Sequence, residues 1–149
     1  MIIDYINNKV KKLNQDHWNN NAPRHTKMTL GRNPTKIINN LNTSLISNRK
    51  DYRTAIQLIT GHCGLNKHLN SMNKTDTKEC LLCGHQEETV SHFLGQCPAI
   101  AQLRGRYFND YYLSINDIFD NFHISSIISF TNKTNRFLEP EDLDNSGVT

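Results

Sequence analysis

At 149 residues, 36% hydrophobic and +3 in net charge, the chain is bounded to one domain, or one small domain with tails. Twenty asparagines run through its length. Asn competes with the backbone for hydrogen bonds, so the helices are weak and the core is modest. No run approaches the roughly 18 apolar residues of a membrane span, and Met1-Ile2-Ile3-Asp4 meets an acid before an apolar leader can form. These features argue against membrane functions and for an intracellular chain, nuclear or cytoplasmic, whose thiols stay reduced.

In chain order, Ile2, Ile6, Val10, Leu13 and His17 fall on one stripe, with Lys9, Lys11 and Lys12 elsewhere, which predicts an amphipathic helix to about Trp18. Residues 21–34 read as a loop with a short extended piece at 25–30. Residues 35–46, with Ile37, Ile38, Leu41 and Leu45, read as weakly helical. Ser47 can cap the next helix, whose face is Tyr52, Ile56 and Ile59 and which Gly61 stops. A short helix around residues 65–70 leads to a polar linker, 71–78. Pro98 fits the first position of a helix through about Asn109. Ser114 with Asp117 resembles a capping box for a short helix over 115–122. Ile124, Ile127, Ile128 and Thr131 mark a last helix, and the acidic residues after Pro140 read as a disordered tail. No internal repeat, Gly-rich phosphate loop or heptad seam is evident.

The charge is unevenly spread. Residues 1–78 hold thirteen Lys and Arg against four Asp, whereas the last eleven residues hold four acids and no base. A basic first half is the electrostatic footprint of a polyanion binder, and it is also what a solvated helix surface carries.

Residues 80–97 carry Cys80, Cys83, His92 and Cys97 in the spacing C-x2-C-x8-H-x4-C. Two cysteines separated by two residues can aim both sulfurs at one metal from a tight turn, and Gly84 supplies the unhindered backbone such a knuckle needs. Thr89 can cap a short helix presenting His92, and Gly95 breaks it so that Cys97 swings back. Four ligands of the Cys3His type close a tetrahedron around one structural zinc rather than leaving a catalytic position open. The competing account is three buried thiols with a surface histidine. His85 is the rival fourth ligand, but it sits too close behind Cys83 to close a comfortable ring. Cys63 reads as a small buried residue. The expected fold class is therefore mainly α: a small helical domain with a Cys3His zinc knuckle and a disordered acidic C-terminal tail. It divides into a basic helical region (1–78), a zinc module (79–98), C-terminal helices (99–138) and the tail (139–149).

Taken together, Gln57-Leu-Ile-Thr60-Gly61-His62-Cys63-Gly-Leu65-Asn-Lys-His68-Leu69, the Cys pair, and Glu87-Glu88-Thr89-x-x-His92-x4-Cys97-Pro98 resemble the C-terminal zinc-binding region of non-LTR retrotransposon polyproteins. Trp18 with Arg24-His25-Thr26-Lys27 resembles the segment that insect-type elements carry between their RNase H domain and this zinc site. The resemblance implies a chain that starts near the end of the RNase H domain, as a decayed remnant or a separately used fragment. The parent would be an RNA-directed DNA polymerase with RNase H. Those activities need carboxylate clusters that bind divalent metals; none is evident here, and the chain is expected not to be an enzyme. Two functions follow as expectations. One is binding of RNA or single-stranded DNA, with Lys11, Lys12, Arg24, Lys27, Arg49, Lys50 and Arg53 on phosphate, joined by basic residues of 104–106, and Trp18, Tyr52 or Tyr107 available for stacking. For Trp18, core packing is the stronger expectation. The other is a structural or protein-interaction module that packs on an upstream RNase H or reverse transcriptase domain.

Overall fold

The structure, a computed structural model, describes residues 1–31, 39, 41, 46 and 48–137. Among these it is helical without strands, and no helix is long and apolar enough to cross a membrane. The weak helix expected over 35–46 lies outside the described residues except at Asn39, Leu41 and Ile46, and the acidic tail lies outside them altogether.

Helix α1 (Ile2–Asn21) runs three residues past the expected end, and none of its residues is buried. The apolar stripe therefore faces outward: Ile2, Ile6 and Leu13 are 77%, 52% and 61% exposed. Trp18 is only half-buried, donating Nε1–H to the Gly31 carbonyl at 3.2 Å, so it tethers the end of α1 instead of filling the core. Ala22 ends the helix in extended geometry, the conformation imposed on a residue preceding proline, here Pro23.

Residues 25–30, expected as a short extended piece, lie in helix α2 (Arg24–Leu30). Tertiary bonds decide for a helix. Thr29 is buried and donates to the Ile59 carbonyl at 2.8 Å, and His25 Nε2–H bonds the Leu58 carbonyl at 3.0 Å. Both bonds fasten α2 to the end of α3 (Arg49–Thr60).

Helix α3 is capped by Asn48 rather than Ser47: the Asn48 side chain accepts from Asp51 N–H at 2.8 Å, as an N-cap should. Its buried face is Ala55, Leu58 and Ile59 with Thr54, while Tyr52 and Ile56 stay exposed. Small Ala55 carries little weight in an apolar periodicity, which is why the face is rotated from the expected one. Gly61 does end the helix, in left-handed geometry at φ 77°. Helix α4 (Asn66–Ser71) follows.

After the cysteine segment come a π-type turn (His92–Gln96), a 3-10 turn at Pro98–Ile100, and helices α5 (Ala101–Phe108), α6 (Ile115–Asn121) and α7 (Ile124–Lys133). Ser114 caps α6 as its pairing with Asp117 suggested, accepting from Asp117 N–H at 3.1 Å. One apolar cluster joins Leu58 and Leu65 to Val90, Phe93 and Leu94 and on to Ile118, Ile127 and Phe130. The Phe108 and Phe130 rings meet at 5.1 Å within it.

Gly95 sits where that cluster meets the chain ahead of α6. Leu113 N–H donates to the Gly95 carbonyl at 3.0 Å, and a Cβ on Gly95 would lie 2.0 Å from the Leu113 carbonyl oxygen. Because both partners are backbone, neither can swing aside. Gly95→Ala should therefore cost about 3 kcal/mol, the upper end for overpacking a core, read as a lowered urea midpoint at unchanged slope.

Candidate metal centre

Cys80, Cys83, His92 and Cys97 present one donor atom each, and these atoms all lie within 4.8 Å of one another. The backbone explains the convergence. Cys80 N–H donates to the His85 carbonyl and Gly84 N–H to the Cys80 carbonyl, both at 2.8 Å, closing a knuckle in which Gly84 takes φ 74°. A residue with Cβ is strained there, so glycine lets the chain turn behind the cysteine pair.

On the other side, Thr89 Oγ1 accepts from His92 N–H at 3.0 Å and starts the turn that holds the imidazole. That turn closes with Cys97 N–H on the His92 carbonyl at 2.7 Å, five residues back. Such a wide π-type turn places Cys97 beneath His92. Gly95 thus serves a close backbone approach inside this turn, whereas its expected role was to break a helix.

Tetrahedral coordination with metal–sulfur bonds of about 2.3 Å and metal–nitrogen bonds of about 2.0 Å requires donor separations of about 3.8 Å for two sulfurs and 3.5 Å for sulfur and nitrogen. The Cys80 and Cys97 sulfurs are 3.9 Å apart, and Cys83 Sγ is 3.3 Å from His92 Nε2. The residues fit a tetrahedral ion. Cys80, His92 and Cys97 are buried and Cys83 is partly so. Burial pushes the Cys97 thiol up to about 12 and raises that of Cys80, while burial and then the nearby His85 lower the pKa of His92. In this setting the imidazole is held neutral, ready to ligate, and thiolates form only against a cation.

His85, the rival ligand, does something else. Its ring stacks on His92 at 4.4 Å between centroids, and its Nδ1 accepts from Glu87 N–H at 3.3 Å. Cys63 lies outside the cluster, buried, with its thiol pushed up to about 11 by that burial.

Two charged residues that the spacing argument passed over surround the cluster. Glu88 is fully buried. It receives both arms of Arg136, at 2.8 and 2.6 Å, and Asn66 N–H at 2.8 Å, and the Cys80 thiol donates to it at 3.8 Å. This carboxylate ties α4, the cysteine knuckle and the end of the chain's described part to one point. Arg104 is also fully buried, and its guanidinium donates to the carbonyls of Leu94 and Tyr111, both at 2.6 Å, of Cys97 at 3.1 Å and of Phe93 at 3.3 Å. Three of the four belong to the segment that carries His92 and Cys97. A divalent ion on three thiolates leaves a net charge of about −1, and Arg104 is the buried cation beside it. The sequence signal for Arg104 was its register, four residues before Phe108 on the apolar face of α5.

The basic residues expected on phosphate fall on four helices, and on α5 only Arg106 is exposed, since Arg104, also expected there, is sealed inside the fold. Lys11 and Lys12 are exposed on α1; Arg49, Lys50 and Arg53 are exposed on α3; Arg24 and Lys27 line a recess on α2 together with Trp18. Lys27 Nζ donates to the Asn19 carbonyl at 2.6 Å, helping to fix α1 against α2. Of the remaining aromatics, Tyr52 is exposed, and Tyr107 packs on Phe130 at 5.9 Å. No family model, curated protein or solved structure matches this sequence.

Three outcomes follow. Metal content per chain, and the charge-transfer spectrum after cobalt substitution, should be lost in Cys80→Ser, Cys83→Ser, Cys97→Ser and His92→Ala and kept in Cys63→Ser and His85→Ala; full occupancy in His92→Ala with loss in His85→Ala would reverse the ligand assignment. Binding should release about three protons near neutral pH, because three thiols ionise and His92 is already neutral. Affinity therefore falls as pH drops, which calorimetry in buffers of different ionisation enthalpy measures. Arg104→Met should cost roughly 3–5 kcal/mol in denaturant, since it strands four carbonyls and removes a buried charge partner.

Proposed function

We propose that this chain is a zinc-stabilised, non-catalytic module that binds RNA or single-stranded DNA, and that it is a fragment of a non-LTR retrotransposon reverse transcriptase polyprotein. The observation that carries the metal half is the closed set of four protein donors, three sulfurs and one imidazole. Soft thiolates in tetrahedral array suit zinc, and four protein ligands leave no open position for substrate. Bound zinc would supply cross-linking rather than chemistry, holding residues 80–97 in the turns described above. Apparent zinc affinities of finger peptides, about 10–16 kcal/mol, match or exceed the 5–15 kcal/mol that ordinary domains have in total.

Support for the nucleic-acid half comes from the basic first half of the chain, spread on the exposed faces of α1 and α3 and in the Trp18 recess. Phosphate contacts of that kind depend on salt. The zinc-loaded chain, titrated with labelled single strands at several salt concentrations, should lose log affinity against log salt at about −0.7 per phosphate neutralised, so four or five contacts give a slope near −3. Neutralising Lys11, Lys12, Arg24 and Lys27 together should flatten that slope. Affinity undetectable at low salt, or indifferent to salt, would sink this reading.

One observation favours a second reading, a protein-interaction module. Helix α1 displays Ile2, Ile3, Ile6, Val10 and Leu13 outward with no residue buried, a face that suits packing on another protein surface. In the parent polyprotein that surface would be the RNase H or reverse transcriptase domain. Failure of the salt titration would leave this reading standing.

A further inference from the structure

A cleft of about 490 Å³ opens between α2, the end of α3, α4 and the segment running from Lys78 to Val90. It is distinct from the metal centre and is large enough for a small ligand. Its wall is made by the Thr60-Gly61-His62-Cys63 motif, for which the zinc cluster has no use. Gly61 allows that wall to exist. Its φ of 77° suits glycine, and a Cβ there would lie 2.9 Å from the His25 ring, which forms the neighbouring wall.

Part of the lining is apolar and uncharged. Leu65, Val90 and Cys63 are buried, and the raised Cys63 thiol stays protonated. The rim is cationic. Lys67 and Lys78 are both exposed beside it, and His62 and His68 stand edge to face with ring centroids 5.0 Å apart. Of the nearby acids, Glu88 is neutralised by the two arms of Arg136. Glu87 holds Lys67 in a 2.6 Å pair exposed to water, and such a pair is easily given up to another anion. A cleft with apolar residues and two imidazoles in its lining and lysines at its rim suits a base joined to a phosphate. It does not match a second metal: among the described residues the only gathered metal donors are the four of the Cys3His cluster.

We infer that this cleft takes one unpaired nucleotide of a bound nucleic-acid strand, with the base against the His62–His68 pair and the phosphodiester on Lys78 and Lys67. The inference rests on the nucleic-acid reading above and gives it a location. Histidine rings stack on unpaired bases as other aromatic side chains do, and each base stacked in this way is worth about a five- to hundredfold change in affinity on alanine substitution.

The test is fluorescence anisotropy of the zinc-loaded full chain with labelled oligouridylate and oligothymidylate, alongside uridine monophosphate and a polyglutamate peptide as competitors. His62→Ala and Lys78→Gln each alter an exposed side chain, and zinc content with far-ultraviolet circular dichroism checks that both fold. Each should weaken oligonucleotide binding about tenfold, and the monophosphate should compete far more weakly than the unlabelled strand. Parental affinity in both variants, with loss in the Lys11, Lys12, Arg24 and Lys27 variant, would overturn the cleft while leaving the nucleic-acid reading intact. No binding by the parent protein overturns both. A monophosphate that competes as well as the strand would make the cleft a free-nucleotide site, and equal competition by polyglutamate would make it an acidic-peptide site. Either result overturns the assignment to a strand.

Discussion

Charge buried away from water has to be answered locally, and around residues 80–97 it is answered three times over. Three cysteine sulfurs lie close together, and burial makes the setting of Cys80 and Cys97 hostile to thiolates, so those two ionise only against a cation. The resulting negative centre borders Arg104, a guanidinium sealed inside the fold by carbonyl oxygens of the same turn. Glu88, equally sealed, is matched by Arg136 and by the backbone of α4. Removing any one member would strand its partners without solvent, which is far more costly than breaking a surface pair.

These polar anchors matter because the apolar core is small. It is built from short helices, several of only six to eight residues, and helices of that length are marginal without tertiary support. Asn66 shows how the support is delivered. Its backbone N–H meets Glu88 and its side chain donates to the Glu79 carbonyl at 2.7 Å, so the start of α4 is positioned by the same network that flanks Cys80. The cleft beside α4 shares this arrangement, since Glu88 is among the residues that line it. A metal held by the four donors would tie the cysteine knuckle to the turn that carries His92 and Cys97.

The outward face of α1 stands apart from that network. Two attachments to the rest of the fold run through its last turns, from Trp18 to Gly31 and from Lys27 to Asn19. Such a helix can bring Lys11 and Lys12 to a polyanion or its isoleucines to a protein surface. The two uses call on different faces of the same helix, so they need not compete.

Much of this was legible in the sequence where the physics is local. The metal donors follow from spacing along a short stretch, Gly61 and Ser114 act as caps within their own turns, and the helical class follows from periodicity and the position of Pro98. Other features depend on residues far apart in the chain, and no local rule reaches them. Residues 24–30 become helical because Thr29 and His25 bond carbonyls some thirty residues away. The stripe of α1 stays in water because nothing among the described residues covers it, and periodicity records a face without recording its partner. Arg104, expected on phosphate, is buried instead, and the burial of Glu88 likewise depends on segments that the local sequence does not show. By itself the sequence determined which atoms could hold a metal and where most helices begin and end. Tertiary structure alone decided which charges are buried against that centre and which motif residues wall the cleft, because burial is a property of distant segments brought together.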